Sequence, residues 1–231
     1  MLEIGKISSN ILSSESNVFF KDTIDSTNNF AKENFETLTY PAVVLANTQT
    51  HGRGRNTNSW TPTSNNSSLY ATWGFRTKSP PSSVFPMRVG LLLQTQLKTI
   101  LNMDVSLKAP NDIYMNSSKL AGILIEGIHF KSDYYTFVGI GINVLNKPNM
   151  SNVTCINDHI TFSEQSWKSF LLGLNSRLTM LIDMPQNALS KQEQEALLSA
   201  LKKHPSFADL QNISESGDLI YANKVLSWLD L

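Results

Sequence analysis

Hydrophobic residues recur with two different periods along the chain, and these periods predict its secondary structure. Alternating or continuous apolar runs predict strands at residues 18–21, 41–46, 69–75, 105–108, 120–128 and 134–144. A helical spacing of apolar residues predicts a helix from residue 28 to about residue 36, and a core-facing helix over residues 84–101. Residues 49–68 between these elements are almost entirely polar, which predicts a long loop, and a loop of this length inside a compact domain is usually functional or disordered.

Polar capping sequences predict where the later helices begin. Thr161 and Glu164 match a capping box for a helix to about residue 182. Ser190 and Glu193 match a second capping box, for a helix to about residue 203. The apolar residues between 219 and 229 indicate a terminal hairpin.

Strands dominate the first two thirds of the chain, with helices between and after them. This order predicts an α+β fold in which one sheet is covered by helices on one face. Residues 1–204 are expected to form one main domain. Residues 205–231 are expected to form a short C-terminal extension, because they are too few for a complete second domain.

Composition narrows the class of protein. The 231 residues are 41% hydrophobic and 16% charged, which is typical of a globular protein with a sizeable core. Nineteen basic residues balance nineteen acidic ones, so no partner is expected among nucleic acids or anionic membranes. The single cysteine, Cys155, excludes an internal disulfide and a cysteine metal cage. The chain shows no secretory signal and no apolar run of membrane-spanning length, so a cytoplasmic location is expected.

Four short segments concentrate the residues that could do chemistry. They are residues 25–28 (DSTN), 49–60 (QTHGRGRNTNSW), 108–126 (KAPNDIYMNSSKLAGILIE) and 139–143 (GIGIN). In the second segment, glycines alternate with arginines, whose planar side chains bind carboxylates and phosphates through two parallel hydrogen bonds. The last segment lacks the third glycine and the following helix of a dinucleotide-binding motif, so its glycines indicate a strand that leaves space for a flat ligand.

These four segments, in this order, resemble the catalytic domain of biotin protein ligases, also called biotin–[acetyl-CoA-carboxylase] ligases. The resemblance covers roughly residues 17–182. It implies a mixed, mainly antiparallel sheet similar to that of class II aminoacyl-tRNA synthetases. It also implies ATP-dependent activation of biotin to biotinyl-5'-AMP, followed by transfer of biotin to a lysine of a biotin carboxyl carrier protein or domain. The implied substrates are ATP and biotin, with Mg²⁺, and dimerisation through a sheet edge is common in the family.

The resemblance also implies roles for individual residues. The catalytic residues would be Arg55 and Lys119. The biotin-binding residues would be Ser26, Thr27, Asn28, Gln49, Gly52, Arg53, Gly54, Arg55, Lys119 and Gly122. The ATP-binding residues would be Arg53, Trp60, Lys108, Asn111 and Asn143, and the carboxylate of Asp112 would hold Mg²⁺ directly or through water.

The sequence departs from the family at two places. The relatives usually continue the arginine loop with further Arg and Gly residues, where this chain has Asn56, Thr57 and Asn58. Ala109 stands where the family usually has Trp. These departures motivate one alternative, a biotin-binding homologue with impaired catalysis. A second alternative is a lipoate or octanoate ligase or transferase, which shares the fold. The residues before Asp25 are too few for the DNA-binding domain of some relatives, so no repressor function is expected.

Overall fold

The computed structural model describes residues 2–56, 58–63 and 66–231, apart from the side chain of Leu229. Within these residues, the strands of the main sheet are β1 (Asn17–Ile24), β2 (Ala42–Gln49), β3 (Ser68–Thr77), β4 (Ser106–Lys108), β5 (Asp112–Met115), β6 (Ser118–Phe130) and β7 (Asp133–Asn143). The α-helices are α1 (Ile4–Leu12), α2 (Thr27–Glu33), α3 (Phe85–Ile100), α4 (Glu164–Ile182) and α5 (Lys191–Lys202). Short strands follow at β8 (Asn212–Ile213), β9 (Leu219–Ile220) and β10 (Val225–Leu226).

The strands of the main sheet lie in the order β1-β2-β3-β7-β6-β5-β4. The edge strand β1 is parallel to β2, and every other neighbouring pair is antiparallel. The predicted α+β class with a mixed, mainly antiparallel sheet is therefore confirmed.

The two faces of the sheet pack against different helices. Successive side chains of a strand point to opposite faces. In β2, Val43 and Leu45 join the large core that also contains residues of α1, α3, α4 and α5. Ala42 and Val44 belong to a smaller cluster on the other face, together with Ala31 of α2. The sequence predicted helices on one face only, whereas α2 covers part of the second face.

Among the described elements, the helix α1 and the strands β5 and β8 were not predicted. In α1, the polar residues Ser8 and Ser9 occupy buried positions, which hides the apolar period that identifies a helix. The hydroxyl of Ser8 accepts a hydrogen bond of 3.1 Å from the indole of Trp167, so its burial is compensated. The four residues of β5 lie within a stretch that was predicted only as a connection and turn, because a strand of this length shows little periodicity.

The start of α4 differs from the prediction. Ser163 caps this helix, with its hydroxyl accepting a hydrogen bond from the backbone N–H of Ser166 at 3.4 Å. The capping box predicted from Thr161 is therefore wrong by two residues, because a second hydroxyl residue lies closer to the first helical turn. The box at Ser190 and Glu193 is confirmed, with reciprocal hydrogen bonds of 2.8 and 3.2 Å.

The C-terminal residues pack onto the large core. The buried members of that core include Phe207, Leu210, Ile213, Leu219 and Trp228. The predicted hairpin is present as β9 and β10, and β8 pairs with β9 on its other side. A boundary between residues 1–204 and 205–231 stays a prediction. Among the described helices, none has both the length and the apolar content needed to cross a membrane.

A loop after β7 holds the beginning of β6. The N–H of Lys119 donates to the carbonyl of Asn152 at 2.8 Å, and the N–H of Thr154 donates to the carbonyl of Lys119 at 3.0 Å. Asp158 closes this loop by accepting hydrogen bonds from Lys147 at 2.6 Å and from the Thr154 hydroxyl at 3.0 Å. The hydrogen bond from Lys147 is the main reason that the pKa of Asp158 is lowered to about 2.

This loop makes stability depend on pH in a predictable direction. The pKa of Asp158 is lower in the fold than its ordinary value of 3.8, so the ionised carboxylate stabilises the protein above about pH 4. We expect Asp158→Asn to lower the melting temperature at pH 7, and the difference from the parent protein to shrink as the pH falls from about 4 to about 2. Thermal unfolding at several pH values measures this. Asp209→Asn, at an exposed position, is the control, and an equal effect of both substitutions at pH 7 would contradict the assignment.

Candidate active site

Three rows of cross-strand neighbours form the floor of a depression on the face of the sheet that α2 covers. Each row contains one residue from β6, one from β7 and one from β3, placed side by side by the antiparallel register. The rows are Gly122–Gly141–Tyr70, Leu124–Gly139–Thr72 and Glu126–Phe137–Gly74. Four of these nine positions are glycine, so the floor is low where side chains would otherwise stand.

The glycines are required by what lies above them. A Cβ atom at Gly139 would overlap the side-chain oxygen of Asn28. A Cβ atom at Gly122 would lie 2.8 Å from the ring of Trp60, and one at Gly141 would lie 3.0 Å from that ring. The row of Gly122 and Gly141 therefore supports the indole ring of Trp60, and Gly139 in the second row supports the side-chain amide of Asn28.

An open cavity lies between this floor, the start of α2 and the loop 52–60, with about 630 Å³ of empty space that includes open solvent. Its lining combines the four segments identified from the sequence. The lining residues are Ser26, Thr27, Asn28, Gln49, Arg53, Gly54, Arg55, Asn58, Ser59, Trp60, Tyr70, Ala71, Asn111, Asp112, Lys119, Gly122, Ile123, Leu124, Gly139, Ile140 and Gly141. Most of the predicted site residues are thus brought together around one space.

Part of the lining consists of neutral hydroxyl and amide groups. The amide oxygen of Gln49 accepts hydrogen bonds from the backbone N–H of Thr27 at 2.7 Å and from its hydroxyl at 3.1 Å. Ser26 caps α2 and also lines the cavity, and its role in binding biotin stays a prediction. All three side chains are buried, which fixes their donors and acceptors in place.

A second part of the lining is charged. The ammonium nitrogen of Lys119 lies 2.8 Å from a carboxylate oxygen of Asp112, and 5.4 Å from the centre of the Trp60 ring. The side chain of Lys119 is 31% exposed and that of Asp112 is 17% exposed, so the pair is partly shielded from solvent. Arg55 also lines the cavity. This charged end of the cavity can therefore bind an anion if the anion replaces Asp112 as the partner of Lys119.

The loop 52–60 folds back on itself as a small hairpin. Arg53 and Ser59 form an antiparallel bridge. The N–H of Gly54 donates to the carbonyl of Asn58 at 2.8 Å, and the N–H of Trp60 donates to the carbonyl of Gly52 at 2.9 Å. Asn56 adopts a positive φ of 58°, which asparagine tolerates better than most residues. Thr57, which was predicted as an uncharged departure from the family, lies outside the described residues.

Arg53 is bound to the sheet rather than to the charged end of the cavity. One guanidinium nitrogen lies 3.0 and 3.1 Å from the two carboxylate oxygens of Glu126, and 3.0 Å from the amide oxygen of Asn29. Lys32 contacts the same carboxylate at 2.8 Å. Burial alone would raise the pKa of Glu126, but hydrogen bonds from Lys32 and Asn28 lower it below its ordinary value.

Some predicted site residues lie outside the cavity lining. The ammonium of Lys108 lies 5.2 Å from the centre of the Tyr114 ring. The amide nitrogen of Asn143 donates to the carbonyl of Thr154 at 3.1 Å. Gly52 supports the hairpin, since a Cβ there would lie 2.7 Å from the carbonyl oxygen of Trp60. A role for Lys108 and Asn143 in binding ATP, and for Gly52 in binding biotin, stays a prediction.

Sequence reasoning assigned no role to several residues of the site. Tyr70 and Leu124 line the cavity, and Thr72 and Glu126 lie on the same face of the floor. Side chains alternate between the two faces along β3, so Tyr70 and Thr72 lie on the same face. This alternation could have identified both residues from the sequence. The position of Glu126 beside the loop could not be found without the strand register.

A second cavity of about 540 Å³ adjoins the first. The two cavities share Arg55, Asn111, Ile123 and Leu124. The remaining lining of the second cavity is Pro86, Pro110, Ile125 and Trp228. Trp228 is contributed by the C-terminal residues, so these residues help to shape the surroundings of the site.

No metal cage is present in the part of the chain that the structure describes, where no three His, Cys, Asp or Glu residues are grouped to hold an ion. Asp112 supplies the one carboxylate of the described cavity lining. A Mg²⁺ ion held mainly by substrate phosphates needs only one or two protein carboxylates. The donor set thus fits a metal that arrives with a nucleotide, and it does not fit an ion bound by the protein alone.

Comparison with known proteins agrees with this fold. Residues 20–143, more than half of the chain, match the biotin/lipoate A/B protein ligase family. The chain therefore belongs to the biotin/lipoate A/B protein ligase family. Over 201 residues it is 32% identical to the bifunctional ligase/repressor BirA of Salmonella typhimurium, an alignment that covers 84% of this chain and 61% of BirA. The chain spans between 37% and 61% of the length of four curated relatives that it matches.

Solved structures share the fold. The biotin protein ligase of Aquifex aeolicus in complex with biotin and ATP superposes with a TM-score of 0.69 at 22% identity, covering 90% of this chain and 94% of that chain. The biotin acetyl coenzyme A carboxylase synthetase of Helicobacter pylori, with bound biotinylated ATP, gives a TM-score of 0.67 at 19% identity. That match covers 92% of this chain and 99% of the Helicobacter chain.

The close approach of α2 to β7 predicts the effect of a single methyl group. We expect Gly139→Ala to destabilise the protein by about 1 to 3 kcal/mol, because the new Cβ displaces Asn28 from its buried hydrogen bonds. Gly127→Ala on β6 is the matched control, since its Cβ would meet only a carbonyl oxygen at 3.6 Å and the position is exposed. We expect that control to change stability by less than about 0.5 kcal/mol. Urea unfolding measures both, and equal effects would show that Asn28 readily moves aside.

Proposed function

We propose that this protein uses ATP to activate biotin as biotinyl-5'-AMP and then transfers biotin to a lysine of a biotin carboxyl carrier protein or domain. One observation carries the proposal. A single cavity combines buried hydroxyl and amide groups with the ion pair of Lys119 and Asp112 and with Arg55. Biotin has matching parts, since its ureido ring is neutral and its carboxylate is charged.

The neutral part of the cavity suits a ureido group, which offers N–H donors and one carbonyl acceptor. Such a ligand needs hydroxyl and amide partners within a mainly apolar pocket. Ser26, Thr27 and Gln49 provide those partners. Gly139 and Gly141 let Asn28 and the Trp60 ring lie close to the sheet beside these partners.

The charged part of the cavity suits the chemical step. In adenylation, an oxygen of the biotin carboxylate attacks the α-phosphorus of ATP, and pyrophosphate leaves. The two reacting groups are both anionic, so the protein must align them and offset their repulsion. We assign this work to Arg55 and Lys119. In the structure the ammonium of Lys119 is held by Asp112 at 2.8 Å, and the reacting anions would replace that partner.

In the second step, the amine of the carrier lysine attacks the carbonyl carbon of the adenylate, and AMP leaves. The adjoining second cavity supports this step, because it opens beside Arg55 and Asn111 and has apolar walls that suit a lysine chain and its neighbours. We also propose that Mg²⁺ accompanies ATP, with Asp112 as its protein ligand, and that Asn111, Trp60 and Arg53 contribute to the nucleotide site.

The relatives support biotin as the substrate. The curated matches include two biotin–protein ligases of Arabidopsis thaliana, at 28% and 29% identity. The solved structures with this fold include ligases bound to biotin and ATP or to biotinyl-5-AMP. We further propose a cytoplasmic protein that acts on a carrier and not on nucleic acid, in agreement with its balanced charge, and that can form a homodimer.

Measuring pyrophosphate release with ATP and biotin, lipoate or octanoate tests the proposal. Release that requires biotin and Mg²⁺ is the expected result. Release with lipoate or octanoate instead would favour the lipoate or octanoate enzyme, which shares the fold. Binding of biotin without pyrophosphate release would favour the impaired homologue, which the neutral loop and Ala109 suggested.

Replacing Lys119 tests the role of its ammonium group. We expect Lys119→Ala to reduce the rate of biotinyl-adenylate formation by about 100-fold or more, on the scale of losing one transition-state electrostatic contact. We expect little loss of stability, because the ion pair of a partly exposed side chain contributes little. Lys168→Ala, at an exposed position of α4, is the control for removing a positive charge. Adenylation of Lys119→Ala at the parent rate would remove Lys119 from the mechanism.

Replacing residues of the loop 52–60 tests the role of this loop in adenylation. We expect Arg55→Ala to nearly abolish adenylation, because Arg55 lies at the junction of the two cavities. We expect Asn58→Arg to lower the KM for ATP by about fivefold, since one added phosphate contact contributes roughly 1 kcal/mol. Asn56→Arg is the matched comparison. We expect a smaller gain from it, because arginine at a φ of 58° costs about 1 kcal/mol in backbone strain.

Steady-state kinetics with varied ATP separates these outcomes. Substantial activity in Arg55→Ala, together with an unchanged KM in Asn58→Arg, would show that the loop does not face the reacting groups. The assignment of Arg55 to catalysis would then be withdrawn.

A further inference from the structure

Glu126 lies at the meeting point of three parts of the molecule. It is on β6, its two carboxylate oxygens are 3.0 and 3.1 Å from Arg53 of the loop 52–60, and one is 3.0 Å from the amide nitrogen of Asn28 on α2. Lys32, one turn further along α2, is 2.8 Å from the other oxygen. Glu126 is not among the residues that line the cavity, so it has no direct role there.

The orientation of Asn28 is fixed by its neighbours. Its amide oxygen lies 2.6 Å from the hydroxyl of Thr72, and its amide nitrogen lies 3.0 Å from the carboxylate of Glu126. A flipped amide would place its oxygen against the carboxylate, where no proton is available. Because the amide oxygen can only accept, the Thr72 hydroxyl must donate to it.

This orientation propagates to the cavity. The Thr72 hydroxyl has one proton, which it gives to Asn28, so at its 2.9 Å contact with the Thr27 hydroxyl it can only accept. The Thr27 hydroxyl also lies 3.1 Å from the amide oxygen of Gln49, and it can serve only one of these acceptors at a time. A ligand that hydrogen-bonds to Gln49 or Thr27 therefore acts on a continuous chain that ends at Glu126.

The charges around Glu126 explain why the loop depends on it. The side chain is 16% exposed, and it faces the positive charges of Lys32 and Arg53. If the carboxylate were neutral, these two cations would face each other with only the amide oxygen of Asn29 bound to Arg53. A charge-assisted contact would be lost, and repulsion would push the loop away from the sheet.

We propose that Glu126 is a positioning residue that holds the loop 52–60 closed through Arg53, and that couples this closure to a ligand bound at Thr27 and Gln49. The coupling rests on the proposed function, in which that ligand is the ureido ring of biotin. Arg53 acts in this arrangement as the anchor of the loop, and Arg55 is carried into the cavity by the same hairpin.

Three variants test the proposal. Glu126→Gln keeps the shape of the side chain and removes its charge. Lys32→Gln is the matched control, because it removes the other cation bound to the same carboxylate and lies outside the loop. Glu126→Gln combined with Arg53→Gln shows whether the two substitutions break one contact. The measurements are amide hydrogen exchange at Gly54 and Trp60, with and without biotin, and the rate at which preformed biotinyl adenylate leaves the protein.

We expect Glu126→Gln to raise amide exchange at Gly54 and Trp60 about fivefold, and to speed release of the adenylate about five- to tenfold. Lys32→Gln should stay within about twofold of the parent in both measurements, and the double variant should match Glu126→Gln alone. Biotin should slow amide exchange in the loop of the parent protein. Most of this slowing should be lost in Glu126→Gln. A general loss of structure would instead raise exchange throughout the sheet.

Other results would overturn the proposal. These are unchanged exchange and release in Glu126→Gln, an equal effect of Lys32→Gln, or a double variant whose effect clearly exceeds that of Glu126→Gln alone. If the parent protein makes no adenylate with biotin, the proposed function fails. The exchange comparison without ligand still decides whether Glu126 holds the loop, so the two failures can be told apart.

Discussion

The contact between Gly139 and Asn28 is the constraint on which the site depends. Because β7 has no side chain at this position, the start of α2 can lie directly against the sheet and bury the amide of Asn28. That position lets Asn28 connect Thr72 with Glu126. The same shortage of side chains along the row of Gly122 and Gly141 makes room for the Trp60 ring. The depth of the floor thus determines where the helix and the loop can lie.

Two carboxylates offset part of the positive charge around the site. Arg53 is paired with Glu126, and Lys119 is paired with Asp112. These contacts lower the cost of holding cations together in a partly shielded space. The two ion pairs occupy different positions, since Asp112 lines the cavity and Glu126 is not among its lining residues. Substrate anions can therefore replace the partner of Lys119 and leave the anchor of Arg53 intact.

Much of the fold and site could be predicted from the sequence because the relevant signals are local. The strand and helix periods identified most elements, and the glycine, arginine and lysine motifs identified Arg55, Lys119 and most of the lining. Features that depend on register or on tertiary contact could not be predicted. Glu126 reaches Arg53 only because β6 pairs with β7 beneath the loop. In α1, buried serines occupy positions where apolar residues were expected, and the hydroxyl of one of them, Ser8, accepts a hydrogen bond from the indole of Trp167.

The neutral residues of the loop gain a structural explanation from this arrangement. Asn56 occupies the left-handed region at the turn of the hairpin, where an arginine would be strained. Asn58 returns the hairpin to the sheet by accepting from the N–H of Gly54. The described residues of the loop therefore obtain their shape from asparagine and glycine. They are attached to the sheet by Arg53 bound to Glu126 and by the Trp60 ring packed over Gly122 and Gly141. In this chain, the position of Arg55 in the cavity consequently depends on how firmly these contacts hold.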